Sequence, residues 1–74
     1  MVHGMVLKIK AERLRRQWTQ TDLGARAGLS ASDISRIESG RLQPYPRQVQ
    51  RLARALKLAP AELLAEVSES TPAA

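Results

Sequence analysis

The sequence predicts an all-α fold, and three observations predict it. Strand-type alternation of apolar and polar residues is missing, while Ala, Leu, Arg, Gln and Glu dominate. Two helix-start signatures follow one another, Thr19 with Asp22 and Ser30 with Asp33. Two glycines, Gly28 and Gly40, stand where the helices they open should stop. The chain has 74 residues, enough for one small domain. A domain of this size buries only about 60% of its unfolded surface, so its core is thinly buffered.

The first helix is expected over about 6–17. Leu7, Ala11, Leu14 and Trp18 fall on one face, and Met5, Ile9 and Arg13 on a second. A helix touched by neighbours on two sides would use both. Trp18 reads as a core plug rather than a stacking platform. The second helix starts at Thr19, with Asp22 near the positive end of the helix dipole and Leu23 and Ala27 turned inward. Gly28 ends it, and Leu29 packs in the turn.

The third helix starts at Ser30, faces inward with Ile34 and Ile37, and ends at Gly40. That leaves Ala31, Ser32, Ser35, Arg36 and Ser39 outside, small side chains around one long Arg. A helix built only for solubility would carry more Glu and Lys. Arg41–Tyr45 is a loop containing Pro44, and Pro46 suits the first turn of a fourth helix. Val49, Leu52, Ala53 and Leu56 form the core face of that helix, with Arg47, Arg51 and Arg54 outside. Pro60 opens a short fifth helix carrying Leu63 and Leu64. The domain is expected over 6–66, between a flexible N-terminus (1–5) and a disordered tail (67–74).

Net charge is +5, unevenly spread. Residues 1–57 carry all 12 Lys and Arg and four acids, +8, whereas 58–74 carry three acids and no basic residue, −3. A basic body with an acidic end points to a polyanion on one side of the fold. Nine of the 12 basic residues are Arg, whose planar fork matches phosphates and guanine edges. Without cysteine and with one histidine, His3, neither a disulfide nor a zinc site is expected. No carboxylate pair sits in an evident pocket, so no enzyme is expected either. No apolar run approaches the roughly 18 residues of a membrane span, and a cytoplasmic, nucleoid-associated protein is expected. RNA binding is disfavoured because Trp18 and Tyr45 are the only aromatics.

Two capped helices around a glycine turn, the second with small polar residues outside, describe a helix-turn-helix. The motif residues are specific: Ile9 and Arg13, then Trp18-Thr19-Gln20, Leu23, Ala27-Gly28-Leu29-Ser30, Ile34-Ser35-Arg36-Ile37-Glu38, Gly40, Pro44, Leu52-Ala53, Leu56, Leu58 and Leu63-Leu64. In these residues the chain resembles the Cro/C1-type (XRE) family of phage repressors and small bacterial regulators, over about residues 6–65.

The resemblance implies a compact five-helix, lambda-repressor-like domain whose third helix enters the major groove of double-stranded DNA. Carried over by position, Ala31, Ser32 and Arg36 face base edges, and Ser35 faces a base or a phosphate. Gln20, Arg41, Gln43 and Tyr45 hold phosphates, and Gln20 also braces the third helix. Arg13 and Glu38 match a structural ion pair between the first and third helices. Arg15, Arg16 and Arg26 are left as general surface charge.

The chain departs from the family pattern at three positions. Gly24 replaces a usual Ala, at a propensity cost of about 1 kcal/mol. Glu12 and Pro46 replace usual apolar residues.

The expected function is a sequence-specific transcriptional regulator, most simply a repressor, with no cofactor. One helix reads few base pairs, so a homodimer on a palindrome is expected, with half-sites about 34 Å apart. Leu64 and Val67 are candidates for the dimer contact, or equally for closing the monomer core. The alternative is an antitoxin-like or adaptor protein that binds a partner protein through its acidic end, 58–74.

Overall fold

The computed structural model describes residues 5–68. A short strand β1 (Met5–Leu7) leads into α1 (Lys8–Arg15), followed by α2 (Gln20–Ala27), α3 (Ala31–Glu38) and α4 (Pro46–Leu56). A single 3-10 turn, Pro60–Glu62, then brings the chain to β2 (Glu66–Ser68), which closes on β1. The strands are antiparallel, with Met5 opposite Ser68, Val6 opposite Val67 and Leu7 opposite Glu66.

The core is one cluster of Ile9, Leu23, Ala27, Ile34, Ile37, Leu52, Leu56 and Leu63, with Trp18, Leu29, Val49 and Leu64 partly buried against it. Each fully buried Ile or Leu contributes about 2 kcal/mol of transfer free energy. These side chains come from every helix and from the segment after α4. The two-helix motif is therefore clamped from both ends of the sequence.

The expectation of five α-helices is corrected to four: a single 3-10 turn stands where the fifth helix was placed, and a two-stranded sheet pairs residues 5–7 with 66–68. The reason lies in α1. Its N-cap, Leu7, offers no side-chain acceptor, yet first-turn N–H groups need partners. The chain after α4 supplies them: Lys8 N–H donates to the Ala65 carbonyl at 2.7 Å, and Ile9 N–H to the Leu63 carbonyl at 2.9 Å. Those carbonyls are available only because the turn at Pro60–Glu62 does not continue as a helix. A longer helix would spend them on its own ladder and leave the start of α1 unpaired. The boundaries at 6 and 66 therefore fall inside the two paired strands; the expectations for 1–4 and 69–74 lie outside the described residues.

Two further differences concern α1. It is shorter than 6–17, ending at Arg15, with Gln17 in the left-handed conformation at φ 61. Of its two apolar faces, Ile9 and Arg13 are buried, whereas Leu14 is 51% exposed. The carboxylate of Glu12 explains how α1 tolerates a charge where an apolar residue was expected. It accepts from Arg15 Nη2 at 2.8 Å and Arg16 Nη1 at 2.6 Å. Arg16 is no general surface charge: its Nη2 also donates to the Leu56 carbonyl at 2.6 Å, tying α1 to the end of α4. Pro46 is exposed at the start of α4, where its missing N–H costs nothing.

Candidate nucleic-acid interface

The entry into α2 is held by a reciprocal pair. Thr19 Oγ1 accepts from Asp22 N–H at 2.9 Å, and Asp22 Oδ2 accepts from Thr19 N–H at 2.9 Å. The hydrogen bond from the Thr19 backbone, followed by that from its hydroxyl, holds the Asp22 carboxyl below its ordinary value. The first N–H groups of α2, on Gln20 and Thr21, precede the helical ladder and point out of the helix end. Such an end attracts anions.

Gly28 turns the chain from α2 to α3 at φ 74, a left-handed backbone that glycine adopts without strain. Leu29 N–H donates to the Gly24 carbonyl at 2.9 Å. The turn folds back so tightly that a Cβ at Gly24 would overlap the Leu29 carbonyl oxygen. In this chain the turn would have to shift to admit a side chain at Gly24, although its sequence neighbourhood reads as plain helix.

Ser30 then caps α3, its Oγ accepting from Asp33 N–H at 3.1 Å. With Ile34 and Ile37 fully buried, Ser32, Ser35 and Arg36 are exposed and Ala31 is half-buried at the helix start. Ala31 and Ser35 are one turn apart, as are Ser32 and Arg36, so these four form one two-residue-wide stripe. Arg36 is the only long side chain in it. Eight residues of helix are about 12 Å long.

The far end of α3 is fixed by a buried network. Arg13 Nε donates to Glu38 Oε2 at 2.6 Å, Nη2 to Glu38 Oε1 at 3.1 Å, and Nη1 to the Trp18 carbonyl at 2.7 Å. Gln20 Nε2 donates to Glu38 Oε1 at 3.2 Å. One carboxylate thereby joins α1, the start of α2 and the end of α3. Gln20 spends one amide hydrogen on this brace, and its amide nitrogen carries a second.

Past α3, Gly40 takes φ 79, and Arg41 and Leu42 both donate backbone N–H to the Arg36 carbonyl, at 2.8 and 3.2 Å. The loop is pinned beneath the helix end. Arg41, Gln43 and Tyr45 are all exposed on it. Tyr45 N–H donates to Gln48 Oε1 at 2.8 Å, which fixes the backbone from which the Tyr45 ring projects. The structure brings Ala31, Ser32, Ser35 and Arg36 together on α3, and sets Arg41, Gln43 and Tyr45 on the loop that leaves it.

The small size of Gly24 suits close helix contact on sequence grounds alone, but that its neighbour is the Leu29 carbonyl was not legible, nor was the role of Arg16. Residue-by-residue reading also missed Arg26, whose guanidinium stacks on the Trp18 ring at 4.2 Å from the centroid, with Arg16 at 5.6 Å. The spacing of Glu12 from Arg15 and Arg16 was the one available signal for the Arg16 tie. Leu64 packs against the core and Val67 pairs with Val6, so both candidates for a dimer contact already serve the monomer. Among the described residues, no group of His, Cys, Asp or Glu is arranged to hold a metal ion, and no helix is long and apolar enough to cross a membrane.

A family described as a helix-turn-helix domain matches residues 5–67. Among solved structures, the chain is similar to the P22 c2 repressor protein in complex with synthetic operator 9T, at 32% identity. That likeness covers 77% of this chain and 86% of the repressor chain, with a TM-score of 0.74. It is also similar to a hypothetical transcription factor, NHTF, from Neisseria, at 25% identity over 76% of this chain and 63% of that one, with a TM-score of 0.71. No curated protein matches the chain.

Proposed function

The chain belongs to the helix-turn-helix domain family, and on that premise we propose that it is a sequence-specific transcriptional regulator that binds double-stranded DNA through α3. The observation that carries this reading is the stripe Ala31, Ser32, Ser35 and Arg36, exposed except for the half-buried Ala31 and small apart from Arg36. It lies on a helix whose end is locked by the Arg13–Glu38–Gln20 network. The helix body fits a major groove about 12 Å wide. Arg36 is long enough to reach a guanine O6/N7 edge, Ala31 offers a methyl to thymine, and Ser32 and Ser35 accept or donate to either partner.

Positioning falls to groups flanking the stripe. The N–H groups at the start of α2 and the spare Gln20 amide hydrogen face one phosphate run, and Arg41, Gln43 and Tyr45 the other. The finer reading is a Cro/C1-type (XRE) repressor acting as a homodimer on a palindromic operator. Its support is the likeness to the P22 c2 repressor protein, which was solved with an operator. Repression by occupying an operator requires no second domain and no cofactor.

The test is a titration of the full chain against the promoter region of its own gene and against a scrambled duplex, across salt. Tighter binding to the promoter with steep salt dependence supports a regulator. Equal affinity for both duplexes, together with a protein that co-purifies through residues 58–74, would overturn it in favour of an antitoxin-like or adaptor role.

A further inference from the structure

We infer that the cleft between the end of α2 and the outer face of α4 is a second binding surface for nucleic-acid phosphates, separate from the α3 stripe. It rests on the reading of the chain as a DNA-binding protein, though not on its sequence specificity. The cleft has a volume of about 320 Å³ and is walled by Arg26, Arg51 and Arg54, with Gly28 at its edge. Arg51 leans over that glycine: a Cβ there would stand 3.5 Å from Arg51 Nη1. All three arginines are exposed, and among the described residues none pairs with a carboxylate within 4.0 Å.

Local helix chemistry accounts for only part of this charge. Arg26 and Arg54 lie in the last turns of their helices, where the dipole favours a cation. Arg51 is mid-helix. Arg47 sits in the first turn of α4, where the dipole disfavours a cation, and that turn holds no acid to offset it. α4 therefore carries three arginines on one face with no acidic residue at all. Gathering like charges around a concave surface is unfavourable in the free protein, and an anionic ligand relieves it.

The surface is continuous with the proposed phosphate-binding loop. Arg51 also borders a neighbouring depression formed with Tyr45, Pro46, Arg47 and Gln48. Arg51 thus joins the depression at Tyr45 and Arg47, beside the loop leaving α3, to the cleft at Gly28, in the turn that precedes α3. Arg47 to Arg54 is seven residues, about 10 Å of helix, or roughly three phosphate steps along the axis of one strand. A backbone of regularly spaced phosphates matches that length and shape. The forks of Arg51 and Arg54 each suit one phosphate.

The test compares the full chain with the double variant Arg51→Gln/Arg54→Gln on a specific and an unrelated duplex, measuring Kobs over a range of salt. Both side chains are exposed and Gln is a comparable helix former, and circular dichroism verifies the fold. The expected result is a log Kobs against log salt slope shallower by about 1.8, from 0.9 for each phosphate no longer neutralised. The weakening is expected to be equal on both duplexes, with the sequence preference unchanged. If the parent shows no sequence preference, the regulator reading fails while the slope difference still decides this one. An unchanged slope overturns the proposal, as does a parent without salt-dependent DNA binding. Retained DNA binding with loss of a co-purifying acidic protein would assign the cleft to that protein instead.

Discussion

Arg13 and Glu38 lie 25 positions apart and meet as a bidentate pair, 2.6 and 3.1 Å, with side chains only 8% and 3% exposed. The third guanidinium nitrogen is taken by the Trp18 carbonyl and the carboxylate also receives Gln20, so neither charge is left bare. Satisfying a buried pair this fully is what makes it tolerable, and breaking it leaves a charge with no partner. Glu38→Ala should therefore cost about 3–5 kcal/mol. That approaches the whole stability of a domain this small. Urea unfolding measures it. Replacing both partners, Arg13→Met with Glu38→Leu, should recover most of the deficit; a single-variant cost below about 1 kcal/mol would contradict the burial argument.

Gly24→Ala inverts an ordinary rule. In an open helix it should stabilise by about 1 kcal/mol. Here the new Cβ would overlap the Leu29 carbonyl oxygen, which is backbone and cannot swing away. A net destabilisation of about 1–3 kcal/mol is expected, the range for overpacked sites. A gain in thermal stability would show that the turn yields to the extra methyl.

Gln17 holds φ 61 at the exit from α1, in the region glycine adopts without strain. Its side chain is exposed and nothing in the core depends on it. Gln17→Gly should raise stability by about 0.5–1 kcal/mol, despite the greater freedom glycine gives the unfolded chain. Thermal melts of the two proteins decide it, and a drop in midpoint would mean the left-handed site is not strained.

The Glu12 carboxyl is held below its ordinary value of 4.5, first by the hydrogen bond from Arg15, opposed by burial, and then by Arg16. A depressed folded pKa means the contribution is fully present above the unfolded value. It is lost as pH falls through the folded one. Stability should decline on acidification below about pH 4.5, and Glu12→Gln should flatten that decline. Urea melts at about pH 7 and about pH 3 test this; equal acid sensitivity in both proteins would exclude Glu12 as its source.

What was legible in the sequence was local. Thr19 with Asp22, Ser30 with Asp33, and the stops at Gly28 and Gly40 need only their own few residues, and the two motif helices form where those signals stand. The pairing of β1 with β2 was not legible, because strands of three residues have no period of their own. Their pairing continues the long-range bonds by which the start of α1 uses the carbonyls of Leu63 and Ala65. Leu14 could not be told from Ile9 for a related reason: α1 has two apolar faces, and only the arrival of α4 and Leu63 selects between them. At the candidate interface the outer face of α3, with Ala31, Ser32, Ser35, Arg36 and Ser39, was visible from spacing and the family resemblance singled out four of them, whereas the cleft of Arg26, Arg51 and Arg54 needed α2 and α4 to be brought side by side.

If α3 reads bases with Arg36 as its one long side chain, the bound sequences themselves must record it. The decisive experiment is selection of bound duplexes from a random library by the wild-type chain and by Arg36→Ala, with affinities on the enriched site. The wild-type chain should enrich a palindrome with half-sites about 34 Å apart. Arg36→Ala should cost about 1–3 kcal/mol there and relax the preference at one base pair per half-site. An unenriched library, or an identical preference in both proteins, would contradict a base-reading Arg36.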